Sequence, residues 1–291
     1  MKKNKIIICI CARKVNQNLF KLLQDIYSNK NKKYKLTVLI VFNQSSKIKK
    51  STILKMFKIL KEIKFFVIYE NKIGVSHARN KVLEYLKKKN YDFINFIDDD
   101  CRIKPNYIYK HYTLIKFLKI PIITGPQIYD SNLIRFSVFE RYFKNLTKVK
   151  WASTNNVFFI KKIIKKNSNF STNVTKYGFG EDQLFFSQLS NQGEIIKWHH
   201  NPVYESVNAE KRKVSWFIKR NFYYGLTGVM IDRELYNKFH LIVNYLIKIV
   251  FYFCKFIIYS LMIPINPKKN FYLAVAFFLR LIGRMYSIKN L

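Results

Sequence analysis

The strongest constraint on the fold is an alternation between two kinds of segment along the first hundred residues. Short runs of β-branched and aromatic residues, at 5–11, 36–42, 65–69 and 91–97, have the composition of buried strands. The segments between them repeat apolar residues at helical spacing. Strands that alternate with helices in this way form right-handed βαβ units. The sequence therefore predicts an α/β fold with a mostly parallel twisted sheet flanked by helices.

The pattern continues less regularly after the fourth strand. Pro105 is suited to open a helix, and residues 122–124 and 151–160 have the composition of two further strands. A second helix is expected to begin at Gly180, and a third to cover residues 216–225. These segments extend the predicted α/β architecture to about residue 230.

Three consecutive carboxylates, Asp98, Asp99 and Asp100, follow the fourth strand. Adjacent negative charges at the end of a buried strand repel one another and are costly to desolvate. A divalent cation relieves that repulsion, and oxygen-rich sites suit Mg²⁺ or Mn²⁺. In open α/β sheets, ligands bind beyond the carboxyl ends of the strands. The sequence therefore predicts a metal site here, and the alternative is a solvated acidic turn that caps the next helix.

Charge and cysteine content narrow the class of protein. The net charge of +36 is compatible with nucleic acid, an anionic membrane or phosphorylated substrates, but the lysines are spread along the whole chain. No RNA-binding motif or zinc-finger spacing occurs. Cys9, Cys11, Cys101 and Cys254 form no Cys-x-x-Cys pair, which argues against structural zinc and suits a reducing compartment. The apolar run at 6–10 is shorter than a signal peptide requires.

Two apolar segments, 241–265 and 271–282, follow the α/β region. A spanning helix needs about 20 apolar residues, and a central lysine is costly there. We therefore predict a membrane-associated helical segment over 236–291 that lies at the interface, after a catalytic domain over 1–235. The cations expected to attract anionic lipids are Lys248, Lys255, Lys268, Lys269, Arg280, Arg284 and Lys289. The alternative is a pair of helices packed on the catalytic domain or on a second subunit.

Several short motifs occur in a specific order. They are Arg13 after the first strand, Val-Phe-Asn at 41–43, Gly-Val-Ser-His-Ala-Arg-Asn at 74–80, the three aspartates, Gly-Glu-Asp at 180–182, and Tyr204-Glu205 followed by Arg212 and residues 220–225. In this order the chain resembles the inverting family 2 glycosyltransferases of the GT-A fold, particularly the bacterial cell-surface polysaccharide enzymes. The resemblance covers roughly residues 5–230.

The resemblance implies a role for each motif. Asp182 would be the catalytic base, with Glu181 orienting the acceptor or bracing the loop, and Asp100 would bind Mg²⁺ or Mn²⁺. Asn155 and Asn156, together with Glu181, would contact the acceptor. The donor-binding residues would be Arg13, Asn43, Gly74, Arg79, Asp98, Asp99 and Arg220. For the arginines the alternative is an ordinary surface charge, and for Asp182 an acidic residue that only stabilises a helix start.

Two positions depart from the family pattern. Relatives often carry an aspartate after the second strand that reads the nucleotide base, and Phe42 occupies that position here, with Asn43 as a substitute. Many relatives place a histidine near the position of Glu205 as an extra metal ligand. Base selectivity is therefore the least defined part of the predicted donor site.

The resemblance predicts a transferase that moves a sugar from a nucleotide-diphosphate donor to a saccharide or lipid-linked acceptor. We expect it at the cytoplasmic face of the plasma (inner) membrane, against an anionic lipid surface and without a nucleic-acid partner. One alternative is a metal-dependent nucleotidyl- or phosphotransferase, although no phosphate-cradling glycine-rich loop occurs. The other is a non-catalytic basic protein, which would leave the aspartates unexplained.

Overall fold

A computed structural model describes residues 3–44 and 47–287 of the chain. The strands in these residues are β1 (Asn4–Ala12), β2 (Tyr34–Phe42), β3 (Lys64–Tyr69), β4 (Phe93–Phe96), β5 (Cys101–Arg102), β6 (Ile122–Thr124), β7 (Gln127–Asp130), β8 (Lys148–Val149), β9 (Val157–Ile160), β10 (Ile196–Trp198) and β11 (Val203–Ser206). The helices are α1 (Gln17–Ser28), α2 (Lys50–Leu60), α3 (Val75–Lys87), α4 (Tyr107–Leu118), α5 (Glu181–Asn191), α6 (Val214–Leu235), α7 (Lys238–Leu261) and α8 (Pro267–Tyr286).

The predicted α/β class is confirmed. Within the described residues, an eight-stranded sheet has the order β3-β2-β1-β4-β9-β6-β10-β8, and a three-stranded sheet has the order β5-β11-β7. Strands β1 to β4 pair in parallel, as do β6 and β10. The insertion of β9 between β4 and β6 and the addition of β8 at one edge make antiparallel pairs. The sheet is therefore mixed, with its parallel half built from the four predicted βαβ strands.

The alternation of side chains along β1 divides the core into two layers. Ile6, Ile8 and Ile10 belong to a cluster with apolar residues of α1, α2 and α4. Ile7 and Cys9 point to the other face and belong to a cluster with α3 and α5. A strand that is buried on both faces has an unbroken apolar run, which is why residues 5–11 do not alternate with polar ones.

The predicted strand at 151–160 is wrong in its first half, because only Val157–Ile160 is extended. The preceding residues form a turn, closed by the amide of Asn156 donating to the carbonyl oxygen of Ser153 at 3.1 Å. Serine, threonine and asparagine side chains compete with a strand ladder by local hydrogen bonding. The polar residues in the middle of this segment therefore form a turn rather than extending the strand.

The chain separates into two compact units. The first consists of Met1–Ile128, Arg141–Thr172 and Glu181–Ser206, and contains the eight-stranded sheet. The second consists of Tyr129–Glu140, Asn173–Gly180 and Val207–Leu291, so α6 groups with α7 and α8. The predicted division into domains 1–235 and 236–291 stays a prediction.

Within the second unit, α6 and α8 approach closely at two glycines. A Cβ atom at Gly225 would overlap the backbone of Arg280 and Arg284, and one at Gly283 would overlap the carbonyl of Phe222. Gly180 has φ of +107°, and a Cβ there would overlap the side chain of Thr227. The glycine of the Gly-Glu-Asp motif is thus required by its backbone conformation and by this contact.

Three of the cations predicted to face lipid are instead internal to this unit. Lys248 Nζ lies 2.7 Å from Asp232 Oδ1, and the buried guanidinium of Arg284 pairs with the same carboxylate. Arg280 Nε donates to Asn221 Oδ1 at 2.9 Å. Asp232, a buried carboxylate on α6, attracts Lys248 and Arg284, and the amide oxygen of Asn221 holds Arg280. The predicted orientation of these three cations toward lipid headgroups is therefore wrong. Lys255 is partly exposed, Lys268 and Lys269 are exposed, and Lys289 lies outside the described residues.

Candidate active site

The three aspartates lie at the carboxyl end of β4. The amide of Ile97 donates to the carbonyl oxygen of Cys9 at 3.2 Å, which continues the β1–β4 ladder by one residue. The chain then turns, and the amide of Cys101 donates to the carbonyl oxygen of Asp98 at 3.1 Å. The predicted position of the aspartates beyond the parallel strands is therefore confirmed.

The turn leads into β5, which is held in place by two elements. Arg102 donates from Nε and Nη2 to the two carboxylate oxygens of Asp25 on α1, at 2.5 and 2.7 Å. This bidentate pair fixes the strand against the helix. On its other side β5 pairs with β11, and the antiparallel register places Glu205 opposite Cys101. The side chains of directly opposed residues lie on the same face of a sheet.

Asp100, Cys101 and Glu205 together form a candidate metal site. One ligand atom from each of these side chains lies within 4.8 Å of the others. Two carboxylates suit Mg²⁺ or Mn²⁺, whereas a thiolate favours softer cations. This donor set therefore fits a divalent cation, and Mn²⁺ fits it better than Mg²⁺ does. Asp100 stays a predicted ligand, and Cys101 and Glu205 join it as candidates.

A chain of amide contacts connects Glu205 to the turn that precedes β9. Gln127 donates from Nε2 to Glu205 Oε2, and Asn155 donates from Nδ2 to Gln127 Oε1. Hydrogen-bond donors behind a metal-binding carboxylate orient it toward the metal. Asn155 is buried in this arrangement, and its predicted contact with an acceptor stays a prediction.

Asp182 lies in the first turn of α5 and is partly exposed. Its Oδ2 accepts a hydrogen bond from Ser153 Oγ at 3.0 Å and one from the Thr154 amide at 3.4 Å. Its Oδ1 accepts from the amide of Gln183 at 2.8 Å. The carboxylate is therefore held in one orientation by the turn at 153–154 while retaining access to solvent. This arrangement is compatible with proton abstraction from a bound hydroxyl group.

Glu181 is placed differently from the prediction. It is 2% exposed, and its Oε1 forms an ion pair with Nη1 of Arg79, which is also buried. The other end of the Arg79 guanidinium, Nη2, lies 3.3 Å from Asp98 Oδ1. A carboxylate with so little exposed surface is not available to an acceptor, so that prediction is wrong and the bracing alternative describes Glu181. Both ends of Arg79 are engaged, and its predicted contact with the donor stays a prediction.

Asp99 has an unusual electrostatic environment. Burial, followed by the charges of Asp100 and Asp98, raises the pKa of Asp99 to about 7. The side-chain amide of Asn16 offsets part of this effect, because its Nδ2 donates to Asp99 Oδ2 at 3.4 Å. Repulsion among neighbouring carboxylates favours the binding of a cation or of hydrogen-bond donors at this turn.

Three predicted donor-binding residues lie on loops at the same edge of the first unit's sheet. Arg13 is exposed directly after β1, and Gly74 is the N-cap of α3, with φ of +141°. Asn43 follows β2, donates to the carbonyl oxygens of Glu70 and Lys72 at 3.0 and 2.7 Å, and accepts from the Gly74 amide at 2.8 Å. Its side chain therefore shapes the loop before α3. The predicted contacts of all three with the donor stay predictions.

Asn156 does not have the predicted role. Its side chain has no exposed surface. Its Oδ1 accepts from the Tyr107 hydroxyl at 2.8 Å, and its Nδ2 donates to the carbonyl oxygens of Pro126 and Asn201, both at 2.9 Å. Both polar atoms of this side chain are hydrogen-bonded inside the core, so the predicted acceptor contact is wrong.

Arg220 belongs to the second unit, on α6. Its guanidinium lies 4.0 Å from the centre of the Phe179 ring, and its Nη2 is 3.3 Å from the hydroxyl of Tyr224. Stacking on an aromatic ring holds the guanidinium in place. Its predicted contact with the donor diphosphate stays a prediction.

Sequence reasoning missed several residues that shape the site. Asn16 and Ser153 contact the acidic side chains directly, and Gln127 and Cys101 lie at the candidate metal site. Asn16 could have been found as the N-cap of α1, because its Oδ1 accepts from the Leu19 amide at 2.8 Å. The other three carry no local signal that separates them from ordinary loop or strand residues.

Comparisons with known proteins concern the family and the fold of the chain. The family model described as glycosyl transferase family 2 matches residues 6–178. No curated protein sequence matches the chain. Residues 1–349 of S. aureus TarS in complex with UDP-GlcNAc superpose with a TM-score of 0.58 and 15% identity, over 81% of this chain and 69% of that one. A longer S. aureus TarS structure gives 0.54 and 16%, over 82% and 41%.

A mannosyltransferase, PcManGT from Pyrobaculum calidifontis, in complex with GDP-Man and Mn²⁺, superposes with a TM-score of 0.57 and 12% identity. The match covers 99% of this chain and 75% of that one. At these identities the similarity shows a shared fold. Because the family model covers more than half of its length, the chain belongs to glycosyl transferase family 2.

Proposed function

We propose that the chain transfers a sugar from a nucleotide-diphosphate sugar to a saccharide or lipid-linked acceptor, with inversion at the sugar carbon. The observation that supports this most directly is the Asp182 carboxylate, held by Ser153 and Thr154 and partly exposed. The same unit contains the candidate metal site at Asp100. The relatives of the same fold are described with UDP-GlcNAc, and with GDP-Man and Mn²⁺.

Asp100 would hold a divalent cation with Glu205 and Cys101. When bound, Mg²⁺ or Mn²⁺ neutralises the negative charge that develops on the departing diphosphate. Gln127 holds Glu205 in position through its hydrogen bond, so the ligand set is prearranged. Asp98 and Asp99 would contact the nucleotide sugar beside this site.

The acceptor hydroxyl would attack the sugar carbon on the face opposite the leaving diphosphate. Its proton passes to a carboxylate oxygen of Asp182, the bond from oxygen to the sugar carbon forms, and the bond from that carbon to the diphosphate oxygen breaks. The three hydrogen bonds to Asp182 keep its carboxylate in one orientation during the proton transfer. One displacement on the opposite face gives the inverted product.

Other residues would position the two substrates. Guanidinium groups and backbone amides donate hydrogen bonds to phosphate oxygens. The proposed donor-binding residues are therefore Arg13, Asn43, Gly74, Arg79 and Arg220. Arg79 would act from its place beside Asp98. Asn155, next to the turn that holds Asp182, is the proposed acceptor contact.

We also propose that the enzyme works at the cytoplasmic face of the plasma membrane, on cell-surface polysaccharide or glycolipid. One described helix, α7, is long and apolar enough to cross a membrane by length and composition. The chain's net charge of +36 would attract it to anionic lipids. A lipid-linked acceptor would be presented at that surface.

The test uses the full chain with Mn²⁺ and a panel of nucleotide-diphosphate sugars, measuring release of nucleotide diphosphate and the anomeric configuration of the product. Asp182→Asn should lower turnover about 100-fold or more while donor binding persists. Asp130→Asn, an exposed carboxylate in β7, is the matched control and should behave as wild type. A product of retained configuration, or release of nucleotide monophosphate without sugar transfer, would contradict the proposal.

A further inference from the structure

The polar residues of α7 face into the second unit. Lys248 pairs with Asp232 of α6 at 2.7 Å, and the hydroxyl of Tyr245 donates to the carbonyl oxygen of Arg284 on α8 at 3.3 Å. The ring of Tyr259 stacks on Phe277 of α8 with centroids 5.5 Å apart. The charge of Lys248, in the middle of α7, is thus neutralised by a buried carboxylate, and the tyrosines Tyr245 and Tyr259 pack on α8.

The opposite side of α7 is apolar and is exposed within the part of the chain that the structure describes. The large apolar side chains exposed there are Phe239, Ile242, Val243, Leu246, Ile247, Val250, Phe251, Phe253, Ile257, Ile258 and Leu261. At about 100° per residue they span roughly half of the helix circumference, and no charged residue falls within that arc. The 24 residues extend about 36 Å at 1.5 Å per residue. Uncovered apolar surface on this scale indicates an apolar partner.

We infer that α7 lies along the plane of a lipid bilayer, with its outer half immersed in the acyl region and its polar half on α6 and α8. This inference rests on the proposed membrane location and specifies how it is achieved. A single partner helix from a second copy of the chain would cover a stripe of about 100°, narrower than the exposed arc. Crossing the bilayer would carry the ammonium group of Lys255, 5.7 Å from the centre of the Tyr259 ring on the same helix, into the acyl region, whereas an interfacial helix buries one face only.

The contact is driven by burial of apolar side chains and not by attraction to anionic lipid headgroups. Lys248 and Arg284 already share Asp232, so they are not available to headgroups. A chain with net charge +36 adsorbs to anionic vesicles regardless of α7. Neutral phosphatidylcholine vesicles at 0.5 M salt remove that contribution, because charges are screened within about 4 Å.

The test uses a native probe site, Cys254, which is the exposed cysteine of the four and lies within the apolar arc. Cys9 and Cys101 are buried, and burial raises the pKa of the Cys11 thiol to about 12, so these thiols react slowly. A polarity-sensitive fluorophore on Cys254 should shift to the blue when neutral vesicles are added in 0.5 M salt. The same fluorophore on Lys219→Cys in a Cys254→Ser background, an exposed position on α6, should not shift.

A pair of variants separates the apolar contact from charge. Leu246→Asp with Val250→Asp, both at exposed positions, should weaken binding to neutral vesicles at least tenfold while leaving donor binding unchanged. Ser51→Asp with Asn191→Asp makes the same change in charge on exposed positions of α2 and α5 and should leave vesicle binding unchanged. Failure of donor binding in the intact chain would count against the proposed enzyme without affecting this outcome.

Two results would overturn the inference. One is the absence of binding to neutral vesicles, which would leave only electrostatic adsorption. The other is a blue shift at Cys254 without vesicles, together with a dimer in solution that the Leu246→Asp and Val250→Asp pair dissociates. That second result would assign the apolar arc to another copy of the chain.

Discussion

Replacement of Glu181 by glutamine should destabilise the first unit by more than any surface ion pair contributes. Glu181 is 2% exposed and pairs with the buried guanidinium of Arg79. Removing one partner of a buried pair costs about 3–5 kcal/mol, because the remaining charge is left without compensation. Arg79 keeps its contact with Asp98 at 3.3 Å, and that carboxylate is partly solvated, so we expect the lower end, about 3 kcal/mol.

The assay is urea unfolding of the full chain at pH 7, followed by circular dichroism. With a slope of about 3 kcal/mol per molar urea, a loss of about 3 kcal/mol lowers the unfolding midpoint by about 1 M. Glu84→Gln is the matched control, because Glu84 on α3 forms an exposed pair with Lys81 at 3.1 Å. Exposed pairs of this kind contribute about 0.3–0.5 kcal/mol, so the control should unfold close to wild type.

A double variant completes the test. Arg79→Met with Glu181→Met removes both charges and keeps apolar volume, so it should unfold at higher urea than Arg79→Met alone, which leaves Glu181 buried without a partner. The account would be refuted if Glu181→Gln and Glu84→Gln unfolded at the same urea concentration, since the Arg79–Glu181 pair would then contribute no more than a surface pair.

Three further predictions concern pH, the base and the metal ligands. Burial lowers the pKa of His199 to about 4 and that of His111 well below its usual range. Unfolding therefore takes up protons below about pH 6.5, and stability present above that pH should fall between pH 7 and pH 5, most strongly through His111, which is fully buried. A thermal-melt series should show His111→Phe losing at least half of that pH dependence. Ser153→Ala should lower turnover about tenfold with KM for the donor unchanged, measured by steady-state kinetics, because Asp182 loses a donor at 3.0 Å. Cys101→Ser should weaken Cd²⁺ binding at least tenfold and Mn²⁺ binding less, measured by calorimetry, because the thiolate is the soft ligand.

The sequence predicts the parts of the fold that depend on local pattern. The strands β1 to β4 and the helices between them follow from apolar periodicity. The position of Asp98 to Asp100 at the edge of the sheet follows from that of β4, which ends at Phe96. Glu205 and Cys101 face each other through the register of β5 and β11, which joins positions far apart in the chain. No local pattern encodes that register, so Cys101 was missed and Glu205 was noted only through the family resemblance.

The errors in the C-terminal segment have a related cause. The spacing of Lys248 on α7 correctly indicates a helix with one polar side. Periodicity does not say which side packs on the protein, and an interfacial helix normally turns its cations to water. Asp232 of α6, a buried carboxylate sixteen residues earlier, binds Lys248 and reverses the orientation. Glu181 is a similar case, because its partner Arg79 lies on a different helix.

The most direct test of the central claim is the binding of Mn²⁺ to the full chain, followed by the loss of the free Mn²⁺ signal in electron paramagnetic resonance. The account predicts one tight site, weakened at least tenfold in Asp100→Asn and in Glu205→Gln, with Asp130→Asn binding as wild type. In the same samples, a nucleotide-diphosphate sugar should bind more tightly when Mn²⁺ is present. Equal Mn²⁺ affinity in wild type and Asp100→Asn would contradict the assignment of these carboxylates as the metal site.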